Sequence, residues 1–483
     1  MSALLCLLPQ VCSAARQFMI VASVSTSIRT DLQAELDRLT ALDGIERVPG
    51  IVLTVFDGEH VHQWASGRAG SPRDPAMTTD TLFRIASITK AYTATLVMQL
   101  VDEDRVNLDR PLVDQLPEFR LADADETAAI TPRHLLSHTS GVPGDWGFDG
   151  GRGDDGVARY VASLAELRTV FPPGLMHSYS NAGYVVLGRL VEHVLGDTWD
   201  ACLRRRLLEP MGLDDTVTLP EDVLLRPYAL GHTTDAEAAE LRPMTTWGGN
   251  RASGPCGIIS AAPGGVIAFA RMHLGDGVAP NGARLLSADA CRLMREIQVR
   301  LTPYSGTDGW GLGFELSESG GRVVFGHGGN TAGQTGALKM IPDRNAAALL
   351  QTNSDMGRVR CDDLYRSVLR EWFGVELESP PSAPAEVPAV ELNTWVGTYE
   401  RVDIRFDVRR VESGLEVTIT SLRPYGAVEP APPRTHPMTP LEEGVFLIRP
   451  EGSPRDTPLV FHEWPDKGAF LHAGLRSSPR SVT

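Results

Sequence analysis

The chain has 483 residues, 42% hydrophobic and 22% charged, an ordinary globular balance with length for two or three domains. Its formal net charge of −16 argues against a nucleic-acid partner and against an anionic membrane surface. No apolar run is long enough to span a bilayer. The six cysteines (Cys6, Cys12, Cys202, Cys256, Cys291, Cys361) show no metal spacing and read as reduced thiols.

Residues 1–25 read as an extension. The stretch ALLCLLPQVCSAA resembles the core of a secretory signal, but no basic residue precedes it. An extension upstream of a start near Met19 is the other reading, and the one favoured is a non-secreted, cytoplasmic protein. Ser27 to Leu42 alternates at helical spacing and predicts a surface helix. Gly50 to Ala65 predicts a β-hairpin turning at Asp57-Gly58.

Thr81 to Val101, TLFRIASITKAYTATLVMQLV, predicts a buried helix with a serine in its first turn. Ala94, Val97, Met98 and Val101 fall at helical spacing. Ser87 and Lys90 are three apart and share a helix face. A serine hydroxyl is a poor nucleophile until a base takes its proton. A neutral lysine amine one turn away can do so, and a helix N-terminus and a dry site both disfavour the ammonium form. The chain has three lysines, Lys90, Lys339 and Lys467, and uses arginine for every other basic residue. Arginine cannot serve as this base, because it is not deprotonated in proteins. S-x-x-K alone is a weak motif, better explained by a serine cap and a partly exposed lysine, so the partners further along decide.

Asp145 to Gly156 is rich in Gly and Asp and reads as a mobile loop, either bordering the pocket or merely solvated. Pro172 to Gly196 carries Tyr179-Ser180-Asn181 at the start of a helix whose Val185, Val186, Leu190 and Val194 face inward. Tyr179, as phenolate or as a hydroxyl polarised by Lys90, can relay a proton to the leaving group. Asn181 can bind the substrate amide or hold Lys90. A packed core tyrosine with Asn181 as a cap explains the same residues. Ile258 to Gly275 and Ser287 to Arg300 predict two further helices.

Gly309 to Asn353 predicts antiparallel strands with turns at Ser319–Gly321 and Pro342–Asn345. His327-Gly328-Gly329 falls at a strand end, where the two glycines let a substrate backbone lie against the edge. The amide of Asn330 can join that of Ser87 as an oxyanion hole. His327 would add a hydrogen bond or a positive charge beside the substrate.

S-I-T-K (87–90), Y-S-N (179–181) and H-G-G (327–329) occur in the order and rough spacing of the serine β-lactamase and penicillin-binding protein superfamily. The chain most resembles the branch of class C β-lactamases, esterases and D-aminopeptidases, over Leu36 to Phe373. The stretches LFRIASITK, HLLSHTSGVP, YSNAGYVVLGRLVE and GHGGNTAGQ carry the likeness. The resemblance implies an α+β domain, an antiparallel sheet flanked by helices plus an all-helical subdomain. It implies Ser87 as acylated nucleophile, Lys90 as its base, Tyr179 in the second proton transfer and Asn181 as ligand of substrate and lysine. His327 stands where class C β-lactamases carry a lysine that recognises a carboxylate. That departure favours an esterase, peptidase or transacylase.

Residues 377–391, LESPPSAPAEVPAVE, read as a Pro-rich linker that ends a catalytic domain of residues 26–376. Residues 392–483 change character: WVGTYE, IRFDVRR, LEVTIT, GVFLIRP, PLVFHEW and AFLHAGL predict a small antiparallel barrel. It resembles the lipocalin-like domains of some D-aminopeptidases and of penicillin-binding-protein-type thioesterases, the surugamide-type peptide cyclases. Those enzymes release nonribosomal peptides by head-to-tail cyclisation, usually through a D-residue at the peptide C-terminus. By that resemblance Arg476, in HAGLRSSPR, is the barrel arginine that helps hold the peptide, and Gly328, Gly329 and Asn330 contact it.

Three functions follow. The first is a thioesterase acting on a peptidyl thioester, presented on a peptidyl carrier protein, with an internal amine as acceptor. The second is a D-aminopeptidase, esterase or weak β-lactamase with water as acceptor. The third is a catalytically silent binding protein, against which the intact Ser87, Lys90 and Tyr179 argue. No metal or organic cofactor is implied.

Overall fold

The computed structural model describes residues 31–481 apart from 71–73, 236–237, 248, 423–431 and 452. The expected extension of residues 1–25, with Cys6 and Cys12, lies outside the described residues.

The larger, N-terminal part is built on an eight-stranded antiparallel sheet. Its order is Val61–Gly67, Gly50–Phe56, Ala346–Thr352, Gln334–Ile341, Arg322–Thr331, Glu315–Ser319, Gly309–Trp310 and Val299–Arg300. The central strands Gln334–Ile341 and Ala346–Thr352 are buried along their whole length, so both sheet faces are covered. Period-2 alternation sorts their side chains. Leu338, Met340, Ala347 and Leu349 join the core that holds the helices Thr89–Asp102 and Pro263–Leu274. Ala337, Ile341, Ala348 and Leu350 join a second core with the helix over 31–41 and the helix Asp362–Phe373.

Two helices are shorter than their sequence patterns predict. Residues 258–262 are drawn into a small sheet through the strand Ser260–Ala261, so the helix begins only at Pro263. Ser287 caps the helix Ala288–Met294 by accepting from the amide of Ala290 at 3.0 Å, and Val299–Arg300 then joins the main sheet. In each case a tertiary strand pairing overrides the helical period.

Residues 374–392 run without helix or strand. Beyond them, eight strands from Gly397–Arg401 to Arg476–Pro479 pair each with the next, up and down. The ring nearly closes, through a bridge between Tyr399 and Arg480 and a bond from the Ser481 amide to Thr398 O at 2.8 Å. Tyr399, Phe406, Val417, Phe446, Phe461 and Leu471 fill its interior as an apolar core.

The barrel sits on the catalytic domain through Phe470, which packs with Phe171 and Met176 in one apolar cluster. Arg455 also reaches Asp362, on the last helix of the catalytic domain, at 2.8 Å. Phe470→Ala is expected to cost about 3–5 kcal/mol of interface packing, as a buried phenylalanine truncation does. Limited proteolysis should then cut within residues 377–391 several-fold faster than in wild type; an unchanged rate would mean that this cluster does not hold the barrel down.

Candidate active site

Ser87 does not lie in the first turn of the long helix. It lies in a 3-10 turn, Ala86–Ile88, that feeds the helix Thr89–Asp102. Ala86 takes a left-handed conformation with φ of 48°, which costs a non-glycine residue about 1–2 kcal/mol. Neighbouring strands hold it there. The Ile85 amide bonds Ile259 O at 2.9 Å, and the strand carrying Gly329 presses on the same turn. A Cβ at Gly329 would sit 2.4 Å from Ile85 O. Gly329 is therefore required by packing inside the protein itself.

Lys90 is fully buried. Its Nζ lies 2.7 Å from Asn181 Oδ1, 2.7 Å from Cys256 O and 3.1 Å from Ser87 Oγ. All three neighbours are uncharged. An amine without its extra proton has two N–H donors and one lone pair. In that form the two short contacts would use the donors, and the lone pair would be left for the serine hydroxyl.

Ser180 caps the helix Asn181–Leu195 by accepting from the Gly183 amide at 2.9 Å. That cap sends Asn181 towards Lys90 and leaves Tyr179 just outside the helix. The Tyr179 ring is caged by His138, Trp310 and His327, with centroids 4.3, 5.6 and 6.1 Å away. Lys90 Nζ and Arg476 Cζ lie 4.9 and 5.0 Å from its centroid. Its hydroxyl is buried and has no hydrogen-bond partner among the described residues. The lysine thus meets the ring, and no bond joins it to the phenol oxygen.

Pairing between Glu315–Ser319 and Arg322–Thr331 stops at Gly326. His327 to Thr331 therefore have no strand partner on that side among the described residues, an open edge beside the turn of Ser87. Asn330 is exposed on this edge. Gly328 faces the opposite way from Gly329, towards Arg358. Of the two roles expected of His327, a hydrogen bond or a positive charge, burial disfavours the charge and leaves the hydrogen bond. Burial, with Lys90 nearby and Glu315 opposing, pushes its pKa down to about 4. Its Nδ1 lies 2.5 Å from Gly328 O. At neutral pH this ring is uncharged.

The barrel enters through its last hairpin, Gly468–Ala473 to Arg476–Pro479. Gly474 and Leu475 at its tip both have positive φ, 56° and 68°, the demand of a type I′ turn. The tip carbonyl of Leu475 accepts from the Tyr179 amide at 2.8 Å, and the Ser477 amide donates to Ser178 Oγ at 3.0 Å. Arg476 reaches Asp145, with Nε 2.5 Å from Oδ2 and Nη2 3.1 Å from Oδ1. Asp145 Oδ1 also accepts from Asn181 Nδ2 at 2.6 Å. Burial pushes the Asp145 carboxyl up, but Arg476 more than offsets this and holds it below its usual range. Sequence reasoning placed Asp145 only at the edge of a mobile loop; its one signal is an acidic residue directly after HLLSHTSGVPG. The same loop borders a cavity of about 380 Å³ between Asp149, Arg152, Arg84 and Trp247.

The beta-lactamase family profile matches residues 36–370. The chain belongs to the beta-lactamase family. Penicillin-binding protein 4 of Amycolatopsis lactamdurans is 41% identical over 371 residues, 76% of this chain and 96% of that protein. The crystal structure of SurE superimposes over 95% of this chain and 100% of its own, with a TM-score of 0.77 and 27% identity; a structure of SurE with D-Leu also matches. D-amino acid amidase from Ochrobactrum anthropi SV3 covers 71% of this chain and 97% of its own, with a TM-score of 0.58 and 25% identity. As a member of this family the chain is a serine hydrolase or acyltransferase. Among the described residues no helix is long and apolar enough to cross a membrane.

Around this beta-lactamase-family site lie histidines that sequence reasoning did not single out. His138, His177 and His472 line up from Tyr179 into the barrel, with successive ring centroids 5.7 and 6.3 Å apart. Burial pushes His138 and His177 well below the ordinary histidine value of 6.5, and His472 down to about 3. The folded protein therefore holds these rings neutral where the unfolded chain takes up protons. Stability is therefore undiminished by these rings above about pH 6.5 and falls progressively as pH drops towards about 3. The urea midpoint should drop through that window, with a shallower drop in the double variant His177→Gln, His472→Gln. A flat midpoint in wild type would contradict the assignment. Gly329→Ala should slow labelling of Ser87 by a fluorophosphonate about 100-fold, the scale of a small misplacement of reacting groups; labelling at the wild-type rate would show that the turn can yield.

Proposed function

We propose that this enzyme is a standalone thioesterase that releases and macrocyclises a nonribosomal peptidyl thioester ending in a D-residue. The observation that carries the reading is the barrel hairpin set against Tyr179, in a chain that matches SurE, a penicillin-binding-protein-type thioesterase, across both domains. Similarity to a D-amino acid amidase and to SurE with D-Leu supports a D-configured donor.

In this reading Lys90 takes the Ser87 proton and Oγ attacks the thioester carbonyl. The amides of Ser87 and Asn330 hold the oxyanion. The carbon–sulfur bond breaks, and the thiolate leaves with a proton delivered through Lys90 and Tyr179. The peptide is then an ester on Ser87. Its own N-terminal amine attacks the ester carbonyl, gives up a proton to the same pair, and the Ser87 oxygen leaves reprotonated. The product is a cyclic amide. The open edge from His327 to Asn330 takes the peptide backbone, and the neutral His327 offers it a hydrogen bond in place of a fixed charge.

The second reading is a D-aminopeptidase, esterase or weak β-lactamase, favoured by the likeness to the amidase. Both share the acylation half and differ in whether water or an amine arrives second. Offered a peptidyl thioester with a D-residue at its C-terminus, the enzyme is expected to release the cyclic peptide as the main product by mass spectrometry. Release of the linear acid alone would end the cyclase reading and leave the hydrolase. Tyr179→Phe should cut release by about 10²–10⁴-fold, as expected for a lost acid–base group; release near the wild-type rate would remove Tyr179 from the proton path.

A further inference from the structure

Asp145 belongs to neither the nucleophile turn nor any of the three motifs, yet it touches the residues that matter. Its carboxylate accepts from Asn181 Nδ2 at 2.6 Å, and Asn181 Oδ1 lies 2.7 Å from Lys90 Nζ. On its other side it pairs with Arg476, at 2.5 and 3.1 Å. The side chains of Arg476 and Asp145 are 23% and 12% exposed. An ionised carboxylate is acceptor-only. It therefore fixes which way the Asn181 amide turns: nitrogen towards Asp145, oxygen towards Lys90. Without that carboxylate the amide is free to flip and present N–H groups to the amine.

We propose that Asp145 is a positioning residue, through which the barrel's Arg476 sets the orientation of Asn181 and the field at Lys90. The proposal rests on the acyl-transfer reading and extends it, because it makes docking of the barrel part of the activation of the base. Arg476 is held in this pairing: Nη2 donates to Asp145 Oδ1 at 3.1 Å, Nε makes an ion-pair contact with Oδ2 at 2.5 Å, and Nη1 lies 3.3 Å from Gly474 O. A peptide held by Arg476 would have to share it with Asp145.

The charged and titratable neighbours are few. Asp145 is faced by Arg476, Arg401 and Asp403 from the barrel, and by Tyr160 from the helix Gly156–Ser163. Lys90 is faced by Ser87, by the rings of Tyr179 and Tyr184, and by His138 and His327. Asp145 is the carboxylate one hydrogen-bonded step from Lys90, by way of Asn181.

The test is the rate of fluorophosphonate labelling of Ser87 in the full chain, measured against pH. Asp145→Asn removes a negative charge and frees the amide to flip, and both changes disfavour the ammonium form. Its plateau rate should fall about 10–100-fold, and its acid limb should move to lower pH by about one unit. Arg476→Met uncovers the Asp145 charge, so its acid limb should move to higher pH. Opposite shifts support the proposal. Acid limbs that stay with wild type in both variants, or move the same way, overturn it and leave Asp145 a structural support for its loop. Should Asp145→Asn fail to fold, the direction of the Arg476→Met shift decides. Wild type that does not label at all overturns the acyl-transfer reading and this proposal with it.

Discussion

A lysine amine buried among three uncharged oxygens is the constraint on which this structure depends. Two contacts at 2.7 Å and one at 3.1 Å bring together the nucleophile turn, the helix beginning at Asn181 and the segment around Cys256. A permanent ammonium in that cage would need a carboxylate to offset its desolvation. Lys339 has one, Glu315 at 2.9 Å. Lys90 meets only neutral oxygens directly, with Asp145 one residue further out. The difference between these two lysines separates a structural ion pair from a group suited to exchange a proton.

The barrel is part of the same arrangement. A hairpin whose tip is strained at Leu475 is pressed onto Tyr179, and Arg476 behind it meets the carboxylate that holds Asn181. Backbone strain thus occurs on both sides of the site, at Ala86 below and Leu475 above. Strained residues persist only where the surroundings over-determine them. Here the surroundings are a sheet on one side and a nearly closed ring of strands on the other.

Much of this was legible in the sequence because it is local or periodic. The spacing of Ser87 and Lys90 needs only a helical rise, whereas the cap suggested at Asn181 falls one residue earlier, on Ser180. The strand pattern from Gly309 to Asn353 and the short strands of the barrel also follow from period-2 alternation. What the sequence did not disclose depends on distant pairings. Asp145 acquires its place from a residue 331 positions later. That His327 is left with a hydrogen bond and not a charge depends on its burial beside Tyr179 and Trp310, which no local pattern records. The 3-10 turn at Ala86 likewise comes from a strand laid against it, and helix propensity alone would have extended the helix through it.

The central claim is that Lys90 acts as an uncharged base on Ser87, and intact-mass analysis tests it most directly. Wild-type protein mixed with a peptidyl thioester ending in a D-residue should gain the mass of the acyl group, mapped to Ser87. Lys90→Met removes the base without burying a charge in that neutral cage, so it should remain folded and gain no mass. An adduct that forms as fast in Lys90→Met as in wild type, or that maps to a residue other than Ser87, would contradict the account.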